Sequence, residues 1–291
     1  MDTRSISMGF LFSLIWSSAF TSAKIVVEFS PPLLTLGVRF IISGCIGLLI
    51  VWLLRYPVRL KLNKLEWASL ACFGICQNSI YLGLNFIAMQ NIDASVAVII
   101  ASLLPLFVAM ISSIFNLEVL SRLSVFGLVL GVTGVTSIML IKIESRSDMI
   151  GVLLCILAVL ALAVATLIAK HSLIKNDNTL TMVSIQMLIG SVPLLITSTI
   201  FEEWTINWST KLMLAFSYTT LVPGLLATFI WFKLVDRVGA TKSAAFHFLN
   251  PVLGVIIASI ILSEKISNNE ILGILVVMIA IIMIQLSRIK V

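Results

Sequence analysis

The sequence predicts an all-α integral membrane fold of ten transmembrane helices, built as two inverted five-helix repeats with the N- and C-termini cytoplasmic. Three observations carry this. The chain of 291 residues is 60% hydrophobic and only 11% charged, with a mean hydropathy of +1.16, which lies outside the range of soluble domains. Apolar stretches recur along its length, each near the ~20 residues that a helix needs to cross ~30 Å of hydrocarbon. Finally, Asn85–Gly134 slides forward by 146 positions onto Trp231–Ala280 without a gap, with ten of fifty positions identical, among them Phe86/Phe232, Pro105/Pro251, Glu118/Glu264 and Gly127/Gly273. The runs are continuous rather than alternating, which favours helices over a barrel.

The first repeat, residues 1–146, holds five expected spans. Ile6–Val27 follows Arg4 and contains the small residues Thr21–Ser22–Ala23, which resemble a signal peptide with its cleavage site. At the same offset Ala19, Ala23 and Lys24 meet Ala165, Ala169 and Lys170, so this span has a counterpart in the second half and is read as a retained helix. Leu33–Leu54 carries Arg39. Glu66–Ile87 carries Gln77, Asn78, Tyr81 and Asn85, of which 78, 81 and 85 share a helical stripe. Ala94–Phe115 is interrupted by Pro105 and is followed by Glu118. Leu123–Ile143 begins with the close-packing pair Gly127 and Gly131.

The second repeat, residues 147–291, holds Ile150–Lys170, Thr179–Ile200 with Gln186, Lys211–Lys233, Ala240–Leu262 and Glu270–Arg288. Between the seventh and eighth spans, Glu202–Glu203 stand with Trp204 and Trp208, two residues suited to a headgroup belt. The ninth span holds His247, Asn250, Pro251 and the small pair Gly254 and Ala258. At helical spacing 247, 251, 254 and 258 share a face. Connections of roughly 4–12 residues leave no room for a soluble domain.

The net charge of +6 does not signal nucleic acid. With the N-terminus inside, thirteen Lys and Arg fall on the cytoplasmic side and five on the other, with Arg39 within a span, the bias of the positive-inside rule. Five spans per half force the second copy to enter the membrane from the opposite side. Inverted repeats of this kind are the architecture of alternating access. The four cysteines all fall within spans and are read as buried hydrophobes. Cys72 and Cys76 share a face, but no Asp, Glu or His completes a metal site.

Polar groups at membrane depth are costly and need a partner. For Arg39 the sequence shows no acidic residue at comparable depth, which leaves a substrate carboxylate, backbone carbonyls or snorkelling to the headgroups. His247 is the one intramembrane group suited to carry a proton near neutral pH. The neutral stripe of span three suits a polar solute or interhelical hydrogen bonds. Trp16, mid-span, suits stacking on a substrate or packing. Pro105 and Pro251 remove a helical hydrogen bond at corresponding positions, the sequence pointer to a site or gate in repeat-built transporters. Glu118 and Glu264, at helix ends on opposite faces, are read as hinge elements. No Walker A sequence is present, so ATP is not expected as the direct energy source, and no cofactor is expected.

These residues resemble the drug/metabolite transporter superfamily, specifically its ten-span EamA-type exporters. The resemblance rests on Pro105…Glu118…Gly127, repeated as Pro251…Glu264…Gly273, with Trp16, the Arg39–Phe40 pair, Ala94 and Ala240. It implies a carrier in the bacterial inner membrane that moves amino acids or related small metabolites outward through a cavity between the halves. The second half departs from it: Leu162 stands at the counterpart of Trp16, and Gln186 lies nearest the counterpart of Arg39. The expected substrate contacts are Trp16, Arg39, Asn78, Tyr81, Gln186 and His247, and the expected partners are a small-molecule substrate and the lipid bilayer. A monomer is expected, with a homo-oligomer left open. Alternatives are an importer or exchanger of a nucleoside or sulfonium compound, and a lipid flippase. An integral-membrane enzyme lacks a visible nucleophile–base pair.

Overall fold

A computed structural model describes residues 2–55, 62–115, 121–142, 146–168, 179–238, 245–265 and 267–286. Among these residues the secondary structure is helical throughout, without strands. Seven helices are long and apolar enough to cross a membrane: Thr3–Phe29, Pro32–Leu53, Lys64–Ala88, Ala94–Ile114, Asp148–Ile168, Thr179–Phe201 and Thr210–Val238. They overlap seven of the ten expected spans. The other three are met by shorter apolar segments, Val125–Gly134, Asn250–Leu262 and Ile271–Ala280.

The elements run α1 (Thr3–Phe29), α2 (Pro32–Leu53), α3 (Lys64–Gly74), a π-helical segment (Ile75–Leu82), α4 (Gly83–Ala88), α5 (Ala94–Ala101), α6 (Leu104–Ile114) and α7 (Arg122–Lys142). The second half gives α8 (Arg146–Ile168), α9 (Thr179–Phe201), α10 (Thr210–Thr219), a second π segment (Thr220–Ala227), α11 (Thr228–Val238), a 3₁₀ turn (Ala245–Leu249), α12 (Asn250–Leu262) and α13 (Asn268–Leu286). The 146-residue offset therefore holds for structure as well as sequence. Helix α2 maps onto α9, α7 onto α13, and the π segment of one half onto that of the other within a residue. The mapped partners also pack on each other, α2 along α9 and α7 along α13.

Local chemistry explains the ends and breaks. Asn63 and Glu66 form a reciprocal capping box at α3, the Asn63 Oδ1 accepting from Glu66 N at 2.9 Å and Asn63 N donating to Glu66 Oε2 at 2.8 Å. Pro105 and Pro251 each stand in the first turn of a helix, α6 and α12. Proline has no N–H to donate, but the first turn leaves its donors free in any case. Each expected proline-bearing span is accordingly divided, by a turn at Ser102–Leu103 in the first half and by the 3₁₀ turn in the second. His247 lies in the 3₁₀ turn that leads directly into α12, and His247, Pro251, Gly254 and Ala258 are all buried.

Candidate functional site

Close approach between helices sets up the centre of the molecule. A Cβ on Gly190 of α9 would lie 2.6 Å from Asn78 Cβ and 2.7 Å from the Gly74 carbonyl oxygen, and one on Gly74 would lie 2.6 Å from the Gln186 carbonyl oxygen. Only glycine lets the chains meet so closely. Across this contact Asn78 Nδ2 donates to Gln186 Oε1 at 2.6 Å and to the Gln186 carbonyl at 3.1 Å, while Ser79 Oγ donates to the Gly190 carbonyl at 2.7 Å. Part of the polar stripe is thus spent joining the halves. Asn85 is also engaged, donating to the Tyr81 carbonyl at 2.8 Å and accepting from the Cys155 thiol at 3.4 Å.

Next to this junction lies a narrow cavity of about 30 Å³, room for one or two water molecules. Trp16 of α1, Arg39 of α2, and Gln77, Asn78, Tyr81 and Asn85 of the third span line it from the first half. Pro223, Gly224 and Thr228 close it from the second. Both π segments contribute to the wall, in keeping with the association of i→i+5 turns with functional sites. The remaining wall is apolar, with Phe20, Phe40 and Phe86 beside alanine, leucine and methionine side chains.

Arg39 is 4% exposed, so it does not snorkel. Its guanidinium carbon lies 5.2 Å from the centroid of the Phe40 ring, and among the described residues it has no ion-pair or hydrogen-bond partner; its Nε is buried and unsatisfied. A Cβ on Gly224 would come within 3.3 Å of Arg39 Nη2, so glycine at 224 leaves the guanidinium its space. The Tyr81 hydroxyl is buried without a partner as well. Among the described residues no carboxylate lines the cavity. A buried polar group left unpaired costs on the order of 1–3 kcal/mol, more when charged, and both of these unpaired groups can donate a hydrogen bond.

The expected site residues therefore divide. Trp16, Arg39, Asn78 and Tyr81 share one cavity, and Gln186 stands behind it, holding Asn78. His247 does not line the cavity. It is 3% exposed, enclosed by Phe12, Trp16 and Trp231 at ring-centroid distances of 5.2, 6.0 and 5.1 Å. Its Nδ1 accepts from Asn250 Nδ2 at 2.8 Å, and Asn250 Oδ1 accepts from Ser17 Oγ at 3.3 Å. Trp16 is thus the shared wall between the cavity and the histidine box.

Glu264 serves the other half of the molecule. Its two carboxylate oxygens accept from Ala94 N at 2.9 Å and Ser95 N at 3.2 Å, at the start of α5. Glu202 does the same for α2, accepting from Leu33 N at 2.8 Å and Leu34 N at 2.9 Å. A carboxylate is favoured at a helix N-terminus by the unpaired N–H groups and the macrodipole. Glu118 lies outside the described residues. At the opposite end of α1, the Arg237 guanidinium donates from Nε to Ser5 Oγ at 3.0 Å and pairs with the Asp2 carboxylate. Hydrogen bonds from Ser5 and then Arg237 hold the Asp2 carboxyl well down, at about 2.

Sequence reasoning missed Pro223, Gly224 and Thr228, which are not polar anchors. A signal was available: 146 positions back they meet Gln77, Asn78 and Leu82, which line the same cavity.

Comparison with known proteins accords with this geometry. The EamA-like transporter family matches twice, over residues 3–140 and 149–286, bounds that differ by the same 146 residues. The chain is 27% identical over 273 residues to the uncharacterized transporter YvbV of Bacillus subtilis, covering 94% of this chain and 88% of that protein. It is 28% identical over 291 residues to the uncharacterized inner membrane transporter YedA of Escherichia coli, covering 96% and 90%. A crystal structure only 17% identical in sequence aligns over 98% of both chains with a TM-score of 0.71, which shows the shared fold. The chain belongs to the EamA-like transporter family of the drug/metabolite transporter superfamily, and is a multi-pass membrane transporter.

Proposed function

We propose that this protein is a secondary transporter that exports amino acids or related small polar metabolites by alternating access through the cavity between its repeats. The observation that carries the proposal is Arg39: a buried cation without a partner among the described residues, facing a cavity to which both halves contribute. An Arg fork matches a carboxylate in two parallel hydrogen bonds, and the desolvated setting strengthens that contact. Glycine at 224 and the neutral amides of Gln77 and Asn78 leave the rest of the cavity uncharged.

The same reading takes the chain across the membrane ten times with both termini cytoplasmic, so that the halves are inverted. Glu202 and Glu264 then stand together at the outer face, each tying a second-half helix end to a first-half helix start. Asp2 and Arg237 tie α1 to α11 at the cytoplasmic face. The water-sized cavity belongs to a form closed around its centre. The divided helices at Pro105 and Pro251, with the two π segments, are the flexible points at which it opens. The family and the relatives are transporters, which supports a carrier rather than an enzyme.

Counterflow tests the proposal. Purified protein in liposomes preloaded with pooled unlabelled amino acids should take up at least one labelled class above protein-free vesicles, and Arg39→Ala should abolish that uptake while the protein remains folded in the membrane. Full uptake by Arg39→Ala would make Arg39 structural; no uptake of any class by folded wild type would end the amino-acid assignment.

A further inference from the structure

We propose that the cavity selects a solute of net charge −1, an organic monocarboxylate with an apolar or aromatic body, over the corresponding zwitterion, and that its export is therefore electrogenic. The inference rests on the transporter reading above and narrows its cargo, from amino acids and related metabolites to the anionic relatives that lack the ammonium. It begins from a charge balance. Arg39 is always protonated in practice, is buried, and among the described residues meets no carboxylate in the cavity wall. A monoanion brings the occupied cavity to neutrality. A zwitterion leaves it at +1 and sets an ammonium beside a guanidinium in a small space without an acidic side chain to hold it.

The orphaned groups agree with this sign. The buried atoms of the cavity wall without partners are Arg39 Nε and the Tyr81 hydroxyl, a cationic donor and a neutral one. Of the amide oxygens nearby, Asn85 Oδ1 takes the Cys155 thiol and Gln186 Oε1, behind the wall, takes Asn78; those of Gln77 and Asn78 are neutral acceptors and do not balance the charge of an ammonium. Around them the wall is mostly apolar, with Trp16, Phe40 and Phe86 among its residues, which suits an apolar or aromatic body rather than a second charge.

Charge in the cavity also determines how the membrane potential acts. With a monoanion bound, the loaded form crosses between its two states with a neutral centre. Emptied outside, the carrier returns with Arg39 uncompensated, and an inside-negative potential favours its return to the inward-facing state. One cycle moves one negative charge outward, so export needs no coupling ion; each ~60 mV of potential supports about a tenfold gradient at equilibrium.

The test compares 3-phenyllactate with L-phenylalanine, which share ring, chain and carboxylate and differ by a hydroxyl in place of the ammonium. Full-length protein in liposomes is assayed for uptake of each at neutral pH, with potassium–valinomycin potentials of either sign and protein-free vesicles as control. Phenyllactate should accumulate under an inside-positive potential, about tenfold for each ~60 mV, with phenylalanine at least about tenfold slower. Phenylalanine uptake that equals that of phenyllactate and ignores voltage overturns the inference and leaves the amino-acid carrier standing. Uptake of neither, by protein that retains its helical circular dichroism, overturns both. Arg39→Gln should lose phenyllactate uptake, with Arg39→Lys restoring part of it; a fully active, voltage-driven Arg39→Gln protein would also overturn the inference.

Discussion

Replacing Glu264 by alanine should shift the carrier toward its outward-open state. The carboxylate leaves the end of α12 in the second half and accepts two backbone N–H groups, from Ala94 and Ser95, at the start of α5 in the first. Removing a capping acceptor costs about 0.5–2 kcal/mol, and removing a negative charge from a helix N-terminus costs about 0.3–1 kcal/mol more. Because the two partners belong to different halves, this energy is lost only in the state that brings them together. A loss of about 1–2 kcal/mol changes an equilibrium by a factor of about 5–30. Ala23, buried in the cavity wall, is a place to read it: in a background without the four native cysteines, Ala23→Cys should react with a membrane-impermeant maleimide from outside about 5- to 30-fold faster when Glu264 is alanine. Ser209→Ala is the control, since Ser209 Oγ accepts from Leu212 N within its own helix and bridges nothing. An unchanged labelling rate in folded Glu264→Ala protein would show that the carboxylate caps α5 without holding the halves together, and a slower rate would reverse the orientation.

Three further outcomes follow from the geometry. His247→Gln should leave the pH profile of transport unchanged, because the imidazole is enclosed by Phe12, Trp16 and Trp231 and does not reach the cavity; a flattened profile would restore it as a proton carrier. Gly190→Ala should lower the thermal unfolding temperature in detergent, since its Cβ would meet the Asn78 Cβ and the Gly74 carbonyl below contact distance and overpacking of this kind costs about 1–3 kcal/mol; an unaltered midpoint would refute the close contact. Asp2, whose carboxyl is held at about 2 against 3.8 in the unfolded chain, should tether the start of α1 fully above pH 3.8 and release it as the pH falls toward about 2. Amide hydrogen exchange over residues 3–6 should rise through that window and be high throughout in Asp2→Asn.

The spans were legible because hydrocarbon imposes one rule on every segment: apolar side chains and an internally bonded backbone. The breaks at Pro105 and Pro251 were legible for the same reason, since proline withholds a donor wherever it stands. The π segments were not. Ile75–Leu82 contains neither proline nor glycine, and nothing in its composition marks a change from i→i+4 to i→i+5 bonding. Its wider turn is described only together with the contact of Gly74 and Asn78 on α9, which is a tertiary fact. The cavity was half legible. Arg39, Asn78, Tyr81 and Trp16 stood out as polar or amphipathic groups at depth, and they do converge. His247 stood out by the same criterion and does not, because which wall of Trp16 it meets is decided by Phe12 and Trp231 from distant parts of the chain.

The repeat also explains how a symmetric scaffold comes to hold an asymmetric site. Moving 146 positions along the chain carries Gln77 to Pro223, Asn78 to Gly224 and Leu82 to Thr228, and all six line the cavity. The backbone positions are therefore used twice while the side chains are used once: the first half supplies the amides, and the second supplies a small residue or a ring at the matching place. Had both copies kept an amide at the position of Asn78 and Gly224, the second would have filled the space beside Arg39 Nη2. Likewise Arg39 is carried to Ile185, so the cavity holds one cation rather than two. A single buried charge can be neutralised by one small anion, whereas a symmetric pair would require a dianion or leave a permanent repulsion at the centre. In the proposed alternating-access cycle the asymmetry places Arg39 differently with respect to the two faces in the two states, which is the condition for the membrane potential to distinguish them.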